Sequence, residues 1–150
     1  MFNLAVLDRS RGETASALDW LFRALNAGHA DPQGTILQWA AEYDRTGKPE
    51  AARAVLDRGT AAYPDSEVIA REVGLRRFRS HDCEGALQSV ARFEGATSDP
   101  VTLSTLGLFE TCLGRRDAAI RYFEKSLAVK PDQPNVVEAL RLVREAPPKN

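Results

Sequence analysis

The chain of 150 residues has almost no net charge, with 20 lysines and arginines against 21 aspartates and glutamates. A chain so balanced offers no bulk field to draw it to nucleic acid or to an anionic membrane. It has no long apolar run either, and nothing approaches the roughly 18 residues of a membrane-spanning helix. The opening, MFNLAVLDRSRG, lacks the basic leading segment of a secretory signal, and its apolar stretch stops at Asp8. A cytoplasmic location is expected on that ground. Cysteine is scarce: Cys83 and Cys112 make no disulfide framework and are expected as two small, buried apolar residues. Strand-like alternation is missing throughout, so no glycine-rich loop follows a strand to cradle a phosphate. Ser, His and acidic residues are too scattered to compose an activated nucleophile. His81-Asp82-Cys83-Glu84 is the one cluster with the composition of a metal or acid–base set. Four consecutive residues at a helix start cannot all face one ion; Asp82 is expected to cap that helix and Glu84 to be its acidic first turn. His29 reads as a solvated loop residue. Arg76, Arg77 and Arg79 around Phe78 read as a solvated face rather than an RNA contact. No catalytic residue, metal or cofactor is expected.

What the chain does have is a period. Gly47 and Gly114 lie 67 residues apart, as do Ala52 and Ala119, and Pro64 and Pro131. A third copy falls between them: Ala86 is 34 after Ala52 and 33 before Ala119. A fourth lies in front, with Gly12 and Ala17 each 35 before Gly47 and Ala52. The second half of each copy reads as an amphipathic helix. Its apolar faces are Ala17, Leu18, Leu21 and Ala24; Ala52, Val55, Leu56 and Gly59; Ala86, Leu87, Val90 and Phe93; and Ala119, Ile120, Phe123 and Leu127. Glu50, Glu84 and Asp117 place an acid in the first turn, where the helix end is positive, and Pro64 and Pro131 stop the helix. The first halves are helical too: Ile36, Trp39, Ala40 and Tyr43 share a face, as do Leu103, Leu106 and Gly107. The unit is therefore helix, tight turn, helix, about every 34 residues.

This pattern resembles the tetratricopeptide repeat family, whose signature is W-x2-L-G-x2-Y, then A-x3-F, then P, on a 34-residue period. The last copy supplies Leu103-x2-Leu106-Gly107, Ala119-x3-Phe123 and Pro131; the second supplies Ile36-x2-Trp39-Ala40-x2-Tyr43, Ala52-x3-Leu56 and Pro64. Arg77 and Glu110 depart from it by standing where Tyr is typical. The resemblance implies an all-α, right-handed α-solenoid in one domain over residues 1–146. Its repeats span about 1–32, 33–66, 67–99 and 100–133, and a C-terminal capping helix with Val136, Val137, Leu140 and Val143 on one face spans about 134–146. Residues 147–150 read as a disordered tail. By the period the first helix would begin about two residues before Met1, so the chain reads as a segment of a longer protein with a raw apolar edge at Leu4 and Leu7. Weak self-association through that edge is expected.

The resemblance also implies a non-catalytic interaction scaffold whose concave floor is lined by the first helix of each pair. The expected floor is Asn3, Val6, Gln38, Ala41, Arg45, Arg71, Leu75, Arg79, Ser104 and Leu108. The family's carboxylate clamp needs Lys and Asn at positions held here by residues such as Phe2, Val6, Gln38, Val68 and Glu72, so that clamp is absent. The expected partner is a protein or peptide with acidic and apolar residues, with neither nucleic acid nor membrane involved. The alternative is an accessory segment appended to a catalytic domain such as a transferase or sulfatase.

Overall fold

The computed structural model describes residues 14–28 and 30–146, which form two compact units, one running to Ile69 and the other from Ala70. Among the described residues every regular element is helical. The architecture is the all-α, helix-pair repeat expected from the period.

In the first unit, α1 (Thr14–Asn26) buries Ala17, Leu18, Leu21, Phe22 and Leu25. Helix α2 (Pro32–Arg45) starts where Pro32 needs no N–H partner and where the Asp31 carboxylate accepts the Gly34 N–H at 2.9 Å. It buries Ile36, Trp39, Ala40 and Tyr43, the face read from the sequence. Helix α3 (Pro49–Ala62) buries Ala52, Val55, Leu56 and Gly59 against it and ends just ahead of Pro64. Arg58 of α3 reaches Asp19 of α1 at 2.6 Å and lies over the Phe22 ring at 4.7 Å. Exposed ion pairs of this kind contribute at most about 1 kcal/mol, so the buried stripe carries the stability.

Helix α4 (Glu67–Arg79) enters the second unit at Ala70. It is followed by α5 (Cys83–Val90), a 3-10 turn (Ala91–Phe93), α6 (Pro100–Cys112), α7 (Arg116–Val129) and α8 (Pro134–Glu145). Ala86, Val90, Leu103, Leu106, Phe109 and Tyr122 form one core cluster; Ala119, Phe123, Val136, Leu140 and Val143 form the next. Val137 was expected on the α8 packing face but is half exposed, because the three buried positions already define a stripe that it lies off.

The turns inside the helix pairs share one hydrogen-bonding pattern. The N–H of Lys48, Asp82 and Arg115 donates to the carbonyl of Tyr43, Arg77 and Glu110 respectively, at 2.8, 2.9 and 2.9 Å. This six-to-one closure needs a left-handed residue just past the helix. Gly47 and Gly114 supply it at φ 72°, and His81 supplies it at φ 62°. An L side chain is strained there. His81→Gly is therefore expected to raise the unfolding free energy by about 0.5–1 kcal/mol, the relieved strain exceeding the extra chain entropy of glycine. Urea denaturation checks this, and a loss of stability would place a useful contact on the imidazole.

The cysteines overturn the expectation of two separate buried thiols. Cys83 at the start of α5 and Cys112 at the end of α6 are joined by a disulfide with Cα atoms 5.8 Å apart, inside the usual range. Both are half-buried rather than core residues. Their separation of 29 residues gave no hint of contact; the repeat geometry brings the two ends together.

Candidate functional site

The described members of the expected floor fall on the first helices of the pairs. Asn3 and Val6 lie outside the described residues, as does the raw edge at Leu4 and Leu7. On α2, Gln38, Ala41 and Arg45 are all exposed on the side away from Trp39 and Tyr43. The second unit carries Arg71, Leu75 and Arg79 on α4, and Ser104 and Leu108 on α6.

Each arginine of this set already holds a carboxylate of its own chain. Arg45 donates twice to Glu42, at 2.9 and 2.7 Å. Arg71 donates to Asp99 at 2.7 Å and to the Thr102 hydroxyl at 2.9 Å. Asp99 in turn caps α6 by accepting the Thr102 N–H at 2.9 Å. Burial pushes the Asp99 carboxyl up, but the Thr102 hydrogen bonds and the Arg71 charge outweigh it and hold the group below the usual aspartate range. Arg79 approaches Glu72 at 3.5 Å, and Arg76 shares that carboxylate at 3.3 Å. Leu75 packs partly buried on the core cluster around Phe109.

Ser104 and Leu108 open onto a cleft of about 340 Å³ between α6 and α8. Val101 completes the α6 wall; Pro134, Asn135, Val136 and Ala139 form the α8 wall, and Phe123 and Gln133 lie at the base. None of these side chains is ionisable. Val101 and Leu108 are 50% and 37% exposed, unusually open for large apolar residues. The base is rigid: the Gln133 amide donates to the Ser126 carbonyl and hydroxyl and to the Lys130 carbonyl, at 3.1, 3.0 and 2.7 Å, and the Ser126 hydroxyl donates to Pro100 at 2.7 Å. The sequence reading missed the whole α8 wall. Its only signal was that a terminal helix covering one face of a stack must leave an edge beside the preceding first helix.

The two departures from the repeat signature part company in space. Arg77 is exposed and donates to the Gly85 carbonyl at 3.0 Å, whereas Glu110 is buried at 4% exposure in the slot that Tyr43 fills in the first unit. Burial pushes the Glu110 carboxyl up. Arg115, 3.6 Å away, pulls it down without cancelling the shift, and Glu94 pushes it further up. Tyr122 donates its hydroxyl to Glu94 nearby, and burial followed by that carboxylate pushes the phenol up. A carboxyl whose pKa is higher folded than unfolded stabilises the fold when protonated, and that contribution is lost as pH rises through its folded pKa. Glu110→Gln is thus expected to raise stability at neutral pH and to flatten the decline between the ordinary glutamate range and neutrality. Thermal midpoints measured from pH 4 to 8 check it; an unchanged slope would remove Glu110 as its source.

The His81–Glu84 cluster is occupied by structural tasks. Asp82 caps α5 through the Gly85 N–H at 2.9 Å, Cys83 is in the disulfide, and Glu84 pairs with Arg115 at 3.2 Å. Among the described residues no group of three or more His, Cys, Asp or Glu side chains is placed to hold a metal ion, and no helix is long and apolar enough to cross a membrane.

No family model matches the chain, and no curated protein does. Solved structures do. "Crystal structure of MamA protein" aligns at 22% identity and TM-score 0.67, covering 96% of this chain and 79% of that one. A structure of MamA AMB-1 aligns at 22% identity and TM-score 0.63 with the same coverage, and one of MamA MSR-1 at 22% and 0.59, covering 95% of this chain and 82% of that one. At this identity the likeness is one of fold, and the chain shares the all-helical repeat fold of these structures.

Proposed function

We propose that the protein is a non-catalytic interaction module that takes a segment of a partner protein, with an apolar partner side chain seated in the α6–α8 cleft. The observation that carries this reading is the cleft itself: open apolar walls at Val101 and Leu108, a base fixed by the Gln133–Ser126 hydrogen bonds, and no ionisable group in the lining. Burying an apolar side chain there removes water from both surfaces at about 25 cal/mol per Å². The helical-repeat fold supports it, since stacked helix pairs present extended surfaces to partners. Arg71 and Arg79, on α4 of the same unit, hold carboxylates of this chain, so acidic residues of the partner are not what the cleft selects. Affinity is on the order of micromolar, because ordering a flexible peptide opposes binding.

The test screens apolar, acidic and basic peptide pools against wild type, Leu108→Glu and Val129→Glu. Val129 is 53% exposed and lies off the cleft. Apolar peptides are expected to bind wild type and Val129→Glu alike, and Leu108→Glu at least tenfold more weakly. Equal binding to all three proteins, or a preference for acidic peptides that vanishes at high salt, would move the site away from the cleft.

A further inference from the structure

We propose that the Cys83–Cys112 bridge is a reversible redox clamp that holds α5, the shortest α-helix among the described residues, in place and releases it when the disulfide is reduced. This does not rest on the cleft reading.

Helix α5 has 8 residues, whereas α3 and α7, the corresponding second helices, have 14 each. It buries only Gly85, Ala86 and Val90, where α7 buries Ala119, Tyr122, Phe123 and Ser126. A helix this short is marginal without tertiary anchoring, and segments with few buried apolar contacts open first. The polar anchors of α5 gather at its first turn. The Asp82 cap, the Arg77 hydrogen bond to the Gly85 carbonyl and the Glu84–Arg115 ion pair all lie within two residues of Cys83. The last two are polar contacts near water and weak individually. The disulfide is the covalent member of this group, and it ties the first residue of α5 to the last residue of α6.

The bridge is also placed for exchange. Both cysteines are half-buried, within reach of a small thiol, and a sulfur at a helix N-terminus leaves more readily as a thiolate. Reduction breaks one S–S bond: a dithiol attacks, supplies two electrons and two protons, and ends as its own disulfide while Cys83 and Cys112 become thiols. The reverse exchange with an oxidised disulfide restores the clamp. The state of α5 therefore follows the thiol poise of its surroundings, closed where that is oxidising and open where it is reducing.

The experiment uses the whole chain purified without reductant. Alkylation and intact mass are expected to find no accessible thiol before dithiothreitol and two after it. Reduction is expected to lower the thermal midpoint by about 5–10 °C and to speed amide exchange in residues 83–93 at least tenfold, with residues 32–62 unchanged. Oxidised glutathione should restore both readouts. A Cys83→Ser, Cys112→Ser double variant should match the reduced protein and ignore dithiothreitol. Two free thiols in the air-purified protein, unchanged midpoint and exchange after reduction, or failure to re-form the bridge would each overturn the proposal.

Discussion

Trp39→Ala is expected to lower the unfolding free energy by roughly 3–5 kcal/mol, the range for deleting a buried aromatic whose site cannot collapse. Trp39 is 2% exposed and meets Tyr43 edge-on, with ring centroids 6.1 Å apart. The surrounding backbone is helical on both sides, in α2 and α3, so the cavity is bounded by elements that relax little. Gln38, its sequence neighbour, is exposed, and Gln38→Ala should stay within about 0.5 kcal/mol of wild type. Urea unfolding followed by far-ultraviolet circular dichroism checks both, since Trp20 alone would report in the fluorescence of the variant. A surface-sized loss at Trp39 would mean that the face of α2 is rotated from its position here.

That face was legible in the sequence because Ile36, Trp39, Ala40 and Tyr43 stand at helical spacing on one side of α2. The period was legible because Gly47 and Gly114 mark the same left-handed turn and Pro64 and Pro131 the same stop. The third copy is fainter for a visible reason: His81 takes the glycine position, at φ 62°, and its second helix ends at Val90, far short of the others. A repeat signature records what each unit needs to pack, and α5 packs with little.

The candidate site was less legible, because its decisive contacts join residues distant in sequence. Arg71 looks like a free groove cation until Asp99, 28 residues on, is seen to hold it at 2.7 Å. Cys83 and Cys112 look like separate apolar residues until α5 and α6 are set side by side. The Glu110 departure was visible as a residue standing where Tyr is typical, but only the fold reveals that the carboxyl is carried inside. Helical spacing put Ser104 and Leu108 on one face of α6, which lines the cleft, whereas the facing wall from Pro134 to Ala139 reads in the sequence only as a cap.

Phe123 and Gly107 offer the sharpest test of how tightly α6 meets α7. Phe123 is 1% exposed, sits in the cluster with Ala119, Val136 and Leu140, and forms part of the cleft base. Phe123→Ala is expected to cost about 3–5 kcal/mol. Gly107 is mid-helix, where alanine is normally better by about 0.5–1 kcal/mol. Here a Cβ would lie 2.6 Å from Phe123 Cε1 and 2.7 Å from Cδ1, so the ring, packed against Ala119, Val136 and Leu140, must shift to admit it. Overpacking of that kind costs about 1–3 kcal/mol, so Gly107→Ala alone should destabilise. In the Phe123→Ala background the obstacle is gone and the same substitution should stabilise by about 0.5–1 kcal/mol, its helix propensity acting unopposed and its methyl filling part of the cavity. The double-mutant cycle should therefore show a change of sign, with a coupling of about 2–3 kcal/mol. Unfolding the four proteins in urea measures it. Equal losses from Gly107→Ala in both backgrounds would mean that the glycine is required by the backbone of α6 and not by the ring that faces it.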